Sequence, residues 1–333
     1  MHRTLSVFKR ARLIFAAVGI LLYILAIAPV HAQAFPIAGK PLRIVVPYPP
    51  GGQAENYARL VAPRLGEALG VSVVVEMKPG ASTAIGAAEV QRAAPDGHTM
   101  LFTNGLTHVQ NPHFRSKLAY DASQFTPIMQ FVEADNVLTA HPSVPANNVQ
   151  ELVAYAKANP GKLSYASISP GSSSHLMAEL FKLKAGIDIT HVPYKGAADA
   201  GRDQWAGLVH LLFDGLLTGQ TGINSNRVKA LALAGPKRSP ALPDLPTMAE
   251  QGFAGVDVPG FIGFFGPANM PVAVTQRLNA ELQKILDLPE VADTIRKGGN
   301  TPAGGSADKF ATLISEQYAA WGEIIRHIGL KLD

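Results

Sequence analysis

Two turns carry the residues of this chain best suited to hold a small anion. One is Tyr48-Pro49-Pro50-Gly51-Gly52, followed by Gln53 and Glu55; the other is Ser167-Ile168-Ser169-Pro170-Gly171-Ser172-Ser173-Ser174-His175. Each follows a strand-like run and opens a helical one. After Gly52, apolar residues recur at Ala54, Tyr57, Ala58, Val61, Leu65 and Leu69, a helical period. The first N–H groups of a helix lack intrahelical acceptors and carry partial positive charge. Glycine lets a ligand approach them and serine hydroxyls add donors, so a carboxylate can be held without arginine. Each loop taken singly also fits a plain strand-to-helix turn in which a serine caps the helix. Two such loops together favour the binding reading.

Other arrangements in the chain point elsewhere and carry less. Ser172-Ser173-Ser174-His175 offers hydroxyls beside an imidazole, which would suit a hydrolase, but adjacency in sequence is not a nucleophile–base geometry and no Gly-x-Ser-x-Gly elbow occurs. No His-Glu-x-x-His pattern, Walker loop or Gly-x-Gly-x-x-Gly is present, so neither a metal nor a nucleotide cofactor is expected. Asn104 and Asp214 each follow a strand-like run, at the carboxyl strand ends where open α/β sheets bind ligands. Both join the candidate ligand-binding residues.

Composition narrows the classes further. Residues 1–34 place Arg3, Lys9, Arg10 and Arg12 ahead of an apolar run over 13–28, which Pro29 ends before Ala32-Gln33-Ala34, a small-x-small cleavage pattern. This reads as a secretory signal cut after Ala34, which places the mature chain in the periplasm. That segment holds four of the 29 basic residues and none of the 25 acidic ones, so the remainder is formally neutral. The whole-chain pI near 9.2 therefore gives no footprint for nucleic acid. Cysteine is absent, which removes disulfides and thiolate metal sites and leaves the chain indifferent to an oxidising compartment.

The roughly 300 residues beyond the signal suit two lobes. Strands at 42–46, 71–76 and 99–103 alternate with helices at 53–69 and 82–94, a βαβαβ series that implies a parallel sheet. The Pro- and Asn-rich stretch 141–148 is expected to carry the chain into a second lobe, with Asn148 capping a helix over 149–158. Strands at 163–167, 190–193, 209–213 and 230–234 and helices at 175–185 and 197–206 follow. A return strand within 255–266 and helices at 272–286, 289–297 and 307–327 close the chain. The expected fold is α/β in two lobes, each a mainly parallel sheet flanked by helices, with a ligand cleft between them. Residues 35–140 with 262–333 form one lobe and 141–261 the other, so two crossings let them hinge.

In this order, Val-Pro-Tyr-Pro-Pro-Gly-Gly (46–52), Lys-Pro-Gly-Ala (78–81), Ala-Pro-Asp-Gly-His-Thr (94–99), Ala-Asn-Pro-Gly-Lys-Leu (158–163), His-Val-Pro-Tyr-Lys-Gly (191–196) and Arg-Ser-Pro-Ala-Leu-Pro-Asp-Leu-Pro-Thr (238–247) resemble the solute-binding receptors of tripartite tricarboxylate transporters, the TctC or Bug family. The resemblance spans essentially the mature chain. It implies a periplasmic-binding-protein-like fold, a small carboxylate clamped between the two loops, membrane permease subunits as partners and no catalysis; a monomer is expected. It also adds Tyr194 to the site. Departures fall at Glu55, where the family usually has aspartate, at Thr83 and Ser169, where glycine is common, and at Gly201-Arg202 ahead of Asp203. Glu55 near the seat would favour a ligand with an amino group. Two further readings stay open: a receptor that signals to a membrane sensor, and a hydrolase built on the serine loop.

Overall fold

The computed structural model describes residues 35–115, 117–256 and 260–330, so the expected signal segment and its cleavage site lie outside the described residues. Along the chain run β1 (Leu42–Val46), α1 (Gln53–Leu69), β2 (Val73–Met77), α2 (Ala84–Gln91) and β3 (Thr99–Asn104). A π-helical turn, Leu106–Gln110, then leads through α3 (Asn111–Phe114) to β4 (Phe125–Ala134) and β5 (Asn136–Ala140). Next come α4 (Val149–Ala158), β6 (Ser164–Ser167), α5 (Ser173–Ala185), β7 (Thr190–Pro193), α6 (Ala197–Trp205), β8 (Leu211–Gly215), α7 (Leu216–Asn224) and β9 (Lys229–Ala234). The chain ends in β10 (Gly260–Pro267), α8 (Val272–Leu286), α9 (Pro289–Lys297), β11 (Thr301–Pro302) and α10 (Ala307–Ile328).

Two sheets result, ordered β11-β4-β10-β3-β1-β2 and β7-β6-β8-β5-β9. Both are mixed. Strands joined by helical crossovers run parallel, as in β2-β1-β3 and β7-β6-β8, whereas β10 and β5 enter from the other sheet without a crossover helix and pair antiparallel. The chain changes sheet at Asp135, ahead of the expected 141–148, and returns between β9 and β10. The reason is local: β4 and β5 form one extended, mostly buried run with a single residue between them, while the prolines beyond it only turn the chain into α4.

The helices follow the apolar periods. The whole stripe of α1 that the sequence marks is buried, and Gly70 ends the helix in the left-handed region at φ 66°, its N–H donating to Glu67 and Gly66 carbonyls. Asn148 caps α4 by accepting from the Glu151 N–H, and Glu151 returns the bond by accepting from the Asn147 N–H at 2.8 Å. Helix α10 packs on β4, on the π-helical turn and on α5, so it touches a strand of the first sheet and a helix that flanks the second. Among the described residues, no helix is long and apolar enough to cross a membrane.

Candidate ligand-binding site

Loops at the carboxyl ends of both sheets' parallel strands meet around a cleft of about 520 Å³. From the first sheet come Pro47–Pro49 and Gly52–Ala54, the turn Pro79–Thr83, and Asn104, Gly105, Leu106 and Gln110. From the second come Ile168–Pro170, Ser173, Tyr194–Ala197, Asp214, Gly215 and Thr218. The crossing strands and α10 close the remaining wall with Asn136, Phe261, Ile262, Gln317 and Trp321. The sides touch around the cleft mouth. A carbon added to Gly51 would lie 3.0 Å from the Ala198 Cβ, one added to Gly196 would lie 3.1 Å from Pro49, and the Ser169 hydroxyl donates to the Ser82 Oγ at 3.1 Å.

Helix α1 presents its N-terminus to the cleft through Gly52, Gln53 and Ala54, whose amides lie in the first turn. The Gly51 amide is spent within the chain, donating to Glu55 Oε2 at 2.7 Å, while Glu55 Oε1 accepts from Arg59. The Gly51 N–H, then burial in the opposite sense, then Arg59 set the Glu55 carboxyl, and the net effect holds it below the usual carboxylate range. Glu55 thus neutralises part of the helix end and lies outside the cleft lining, which removes the basis for an amino group on the ligand. Helix α5 has no acidic residue in its first turn, so its N-terminus at Ser173 keeps its full attraction for an anion.

Two neutral carboxamides are turned toward the cleft by their own partners. Asn104 Oδ1 accepts from the Tyr48 hydroxyl at 2.6 Å and from the Leu106 N–H at 3.0 Å, which leaves its NH2 as the outward donor. Gln53 Oε1 accepts from Asn300 at 2.7 Å, and its NH2 lies where a Gly215 side chain would otherwise stand. The Tyr48 ring reaches the cleft while its buried hydroxyl end is pushed up to about 12 by desolvation. Asp214 is buried in the wall, accepts from Thr218 at 2.6 Å, and is pushed up to about 6 by that burial.

Of the residues expected in the site, Tyr48, Gly52, Gln53, Asn104, Ser169, Ser173, Tyr194 and Asp214 line the cleft together. The others lie outside the lining. Pro50 is exposed outside the lining. Ser167 bonds His191 at 2.7 Å, Ser174 accepts from the Ile168 N–H, and Ser172 donates to the Ser169 carbonyl at 2.6 Å. His175 Nδ1 accepts from the Gly171 N–H at 3.1 Å and its ring stacks on His191, so burial and then that neighbour push it down to about 4. These groups brace the second loop from within. The serine–histidine adjacency therefore yields a loop support, with the imidazole nitrogen occupied by backbone.

Pro79–Thr83, Gln110 and Trp321 were not anticipated as lining. The first had a signal, being a third strand-to-helix turn within the Lys-Pro-Gly-Ala motif. Its residues Ala81, Ser82 and Thr83 hold φ of 46°, 49° and 79°, a left-handed run of non-glycine residues. Asn111 fixes it by donating to the Ser82 carbonyl at 2.6 Å, and Thr107 by donating to Thr83 Oγ1 at 3.0 Å.

A family profile described as tripartite tricarboxylate transporter family receptor, TctC, matches residues 57–330. The chain belongs to the TctC family. Among solved structures, Rpa4515 of R. palustris with adipate is similar at 31% identity and a TM-score of 0.85, covering 89% of this chain and 99% of that one. The periplasmic binding protein BugD is 32% identical with a TM-score of 0.83, covering 89% and 99%. MatC of Rhodopseudomonas palustris with bound malate is 28% identical with a TM-score of 0.82, covering 87% and 100%. This TctC protein is thus a solute receptor of the periplasmic binding class, in a family of transport receptors and not of enzymes.

Proposed function

We propose that the protein captures a small carboxylate between the N-termini of α1 and α5 and delivers it to membrane permease subunits, as a monomeric receptor exported by a signal cleaved after Ala34. The observation that carries this is the convergence of two helix N-termini on one cleft, joined there by the neutral Gln53 and Asn104 amides and by Lys195, the cation among the described lining residues. Adipate and malate in the relatives are precedents for the chemistry. In this reading the two sheets mark two lobes that hinge at Asp135 and within 235–256, closing over the ligand.

The test is calorimetry and thermal shift of the mature chain against mono-, di- and tricarboxylates, with their amides as neutral controls. At 100 times its Kd a true ligand raises stability by about 2.7 kcal/mol. Binding of the amides in preference to the acids would overturn the proposal. Small-angle scattering that showed no compaction at saturation would remove the hinge.

A further inference from the structure

Asp214 is the acidic residue among the described lining residues of the cleft, with 6% of its surface exposed. A seat for anions is weakened by a carboxylate in its wall, and Glu55 shows the other arrangement, turned to Gly51 and Arg59 outside the lining. Asp214 instead stands beside the α1 seat. Its neighbour Gly215 lies so close to Gln53, the first residue of α1, that an added carbon would fall 1.7 Å from the Gln53 Nε2.

The groups that face the Asp214 carboxyl are neutral. Thr218 and Gly219 of α7, the Gly215 N–H and Val137 of β5 lie around it, and Thr218 donates to its Oδ1 at 2.6 Å. Charged groups on the packed elements are engaged elsewhere. Asp135, ahead of β5, packs on Gly235; Asp199 and Asp203 of α6 pair with Arg202; and His175 of α5 accepts from Gly171. Tyr48 and Tyr194 spend their hydroxyls on Asn104 and Asp203, and Lys195 is exposed on the loop after β7.

Burial already holds the carboxyl at about 6. An anion brought to the α1 amides adds a like charge in the same poorly solvated space, which disfavours ionisation of Asp214 further. Lys195 can attract that anion without relieving the repulsion. A proton on Asp214 does relieve it.

Resting on the carboxylate reading above, we infer that Asp214 takes up a proton from solvent as the ligand's carboxylate enters, and stands as a neutral acid in the occupied cleft. The receptor thus captures a carboxylate and a proton as a pair. Its affinity then depends on pH in a range where the ligand's own charge is constant.

The experiment is calorimetry of the mature wild-type chain with acetate, benzoate, adipate, malate and citrate at pH 7.5, in two buffers of different ionisation enthalpy, repeated on Asp214→Asn. An acid that binds should bring in more than about half a proton, and its affinity should fall by about 10-fold from pH 6.5 to 8.5. Asp214→Asn, a permanent stand-in for the neutral acid, should show no uptake and a flat profile, and should bind about 10-fold tighter than the wild type at pH 8.5. Binding without proton uptake, uptake that persists in the variant, or a cooperatively folded variant weaker than the wild type at pH 8.5 overturns this inference and leaves the carboxylate reading standing. Should the variant fail to fold, the wild-type profile decides by itself, and a flat one overturns the inference. Failure of all five acids in a wild-type chain whose cooperative unfolding is intact overturns both.

Discussion

Ser169 Oγ donates to Ser82 Oγ at 3.1 Å, joining the loop after β6 of one sheet to the loop after β2 of the other. Both residues have second partners: the Ser169 carbonyl accepts from the Ser172 hydroxyl, and Ser82 Oγ accepts from Arg115. The contact is therefore a braced bridge across the cleft mouth. Ser82→Ala and Ser169→Ala should each weaken ligand affinity by a few-fold, and the double variant by little more than the worse single one, because each removes the same bond. Ser82→Ala should be the worse, since it also strands the Arg115 donor. Calorimetry on the four-member cycle checks this; fully additive losses would mean that the two hydroxyls act separately.

Ala81 holds φ 46° without a side-chain bond to offset it. An L-residue in the left-handed region costs about 1–2 kcal/mol, whereas glycine gives up only about 0.5–1 kcal/mol of additional chain entropy. Ala81→Gly should therefore stabilise the protein by about 0.5–1 kcal/mol, read as a higher urea midpoint at unchanged slope. Thr83→Gly is expected to go the other way, because Thr83 Oγ1 accepts from Thr107 and Asn111 and both donors are buried.

Much of this architecture was legible where one period dominates. Helices α1, α4, α8 and α9 and strands β1 and β7 begin and end where apolar spacing, prolines and caps put them. The π-helical turn and α7 were missed because Leu106–Gln110 is too short to show a period and Leu216–Asn224 mixes glycine, threonine, glutamine and asparagine, so each reads as a turn until tertiary packing on β3 and β8 fixes it. β4 and β5 were missed because they belong to different sheets, and nothing in 125–140 marks the change. Within the site, sequence found the loops but could not tell which amides face outward. That depends on intramolecular competitors such as Glu55 for Gly51 and His175 for Gly171.

Asp214 should give the stability profile a distinctive slope. Its folded value near 6 lies above the roughly 3.9 of an unfolded aspartate, so between those pH values the native state keeps a proton that the unfolded state has lost. Its contribution is present below about pH 4 and is lost as pH rises through 6, an effect of about 3 kcal/mol at most. Asp135, raised to about 6 by burial and by Glu133, acts in the same direction. His175, pushed down to about 4, opposes both, since the unfolded imidazole binds its proton first and stability is lost as pH falls. The difference between variants isolates one group. Asp214→Asn, which can still accept from Thr218, should gain on the wild type progressively from pH 4 to 7 in urea titrations, and a pH-independent difference would contradict the buried carboxyl.

Adjacent glycines at the first loop should separate folding from binding. Gly51 has φ 94°, and an added carbon would lie 3.0 Å from the Ala198 Cβ, so both backbone and packing resist a side chain. Gly52 has φ −95° and ψ 169°, which any residue adopts, and an added carbon meets nothing within 4 Å. Its backbone permits substitution, but the space it opens is the cleft. Gly51→Val should cost about 2 kcal/mol or more of stability. Gly52→Val should unfold within about 0.5 kcal/mol of the wild type, yet lose ligand affinity by about 10-fold or more, because the isopropyl group stands over the α1 amides. Denaturation and calorimetry on the same two preparations decide the matter: native affinity in Gly52→Val would move the carboxylate seat away from α1.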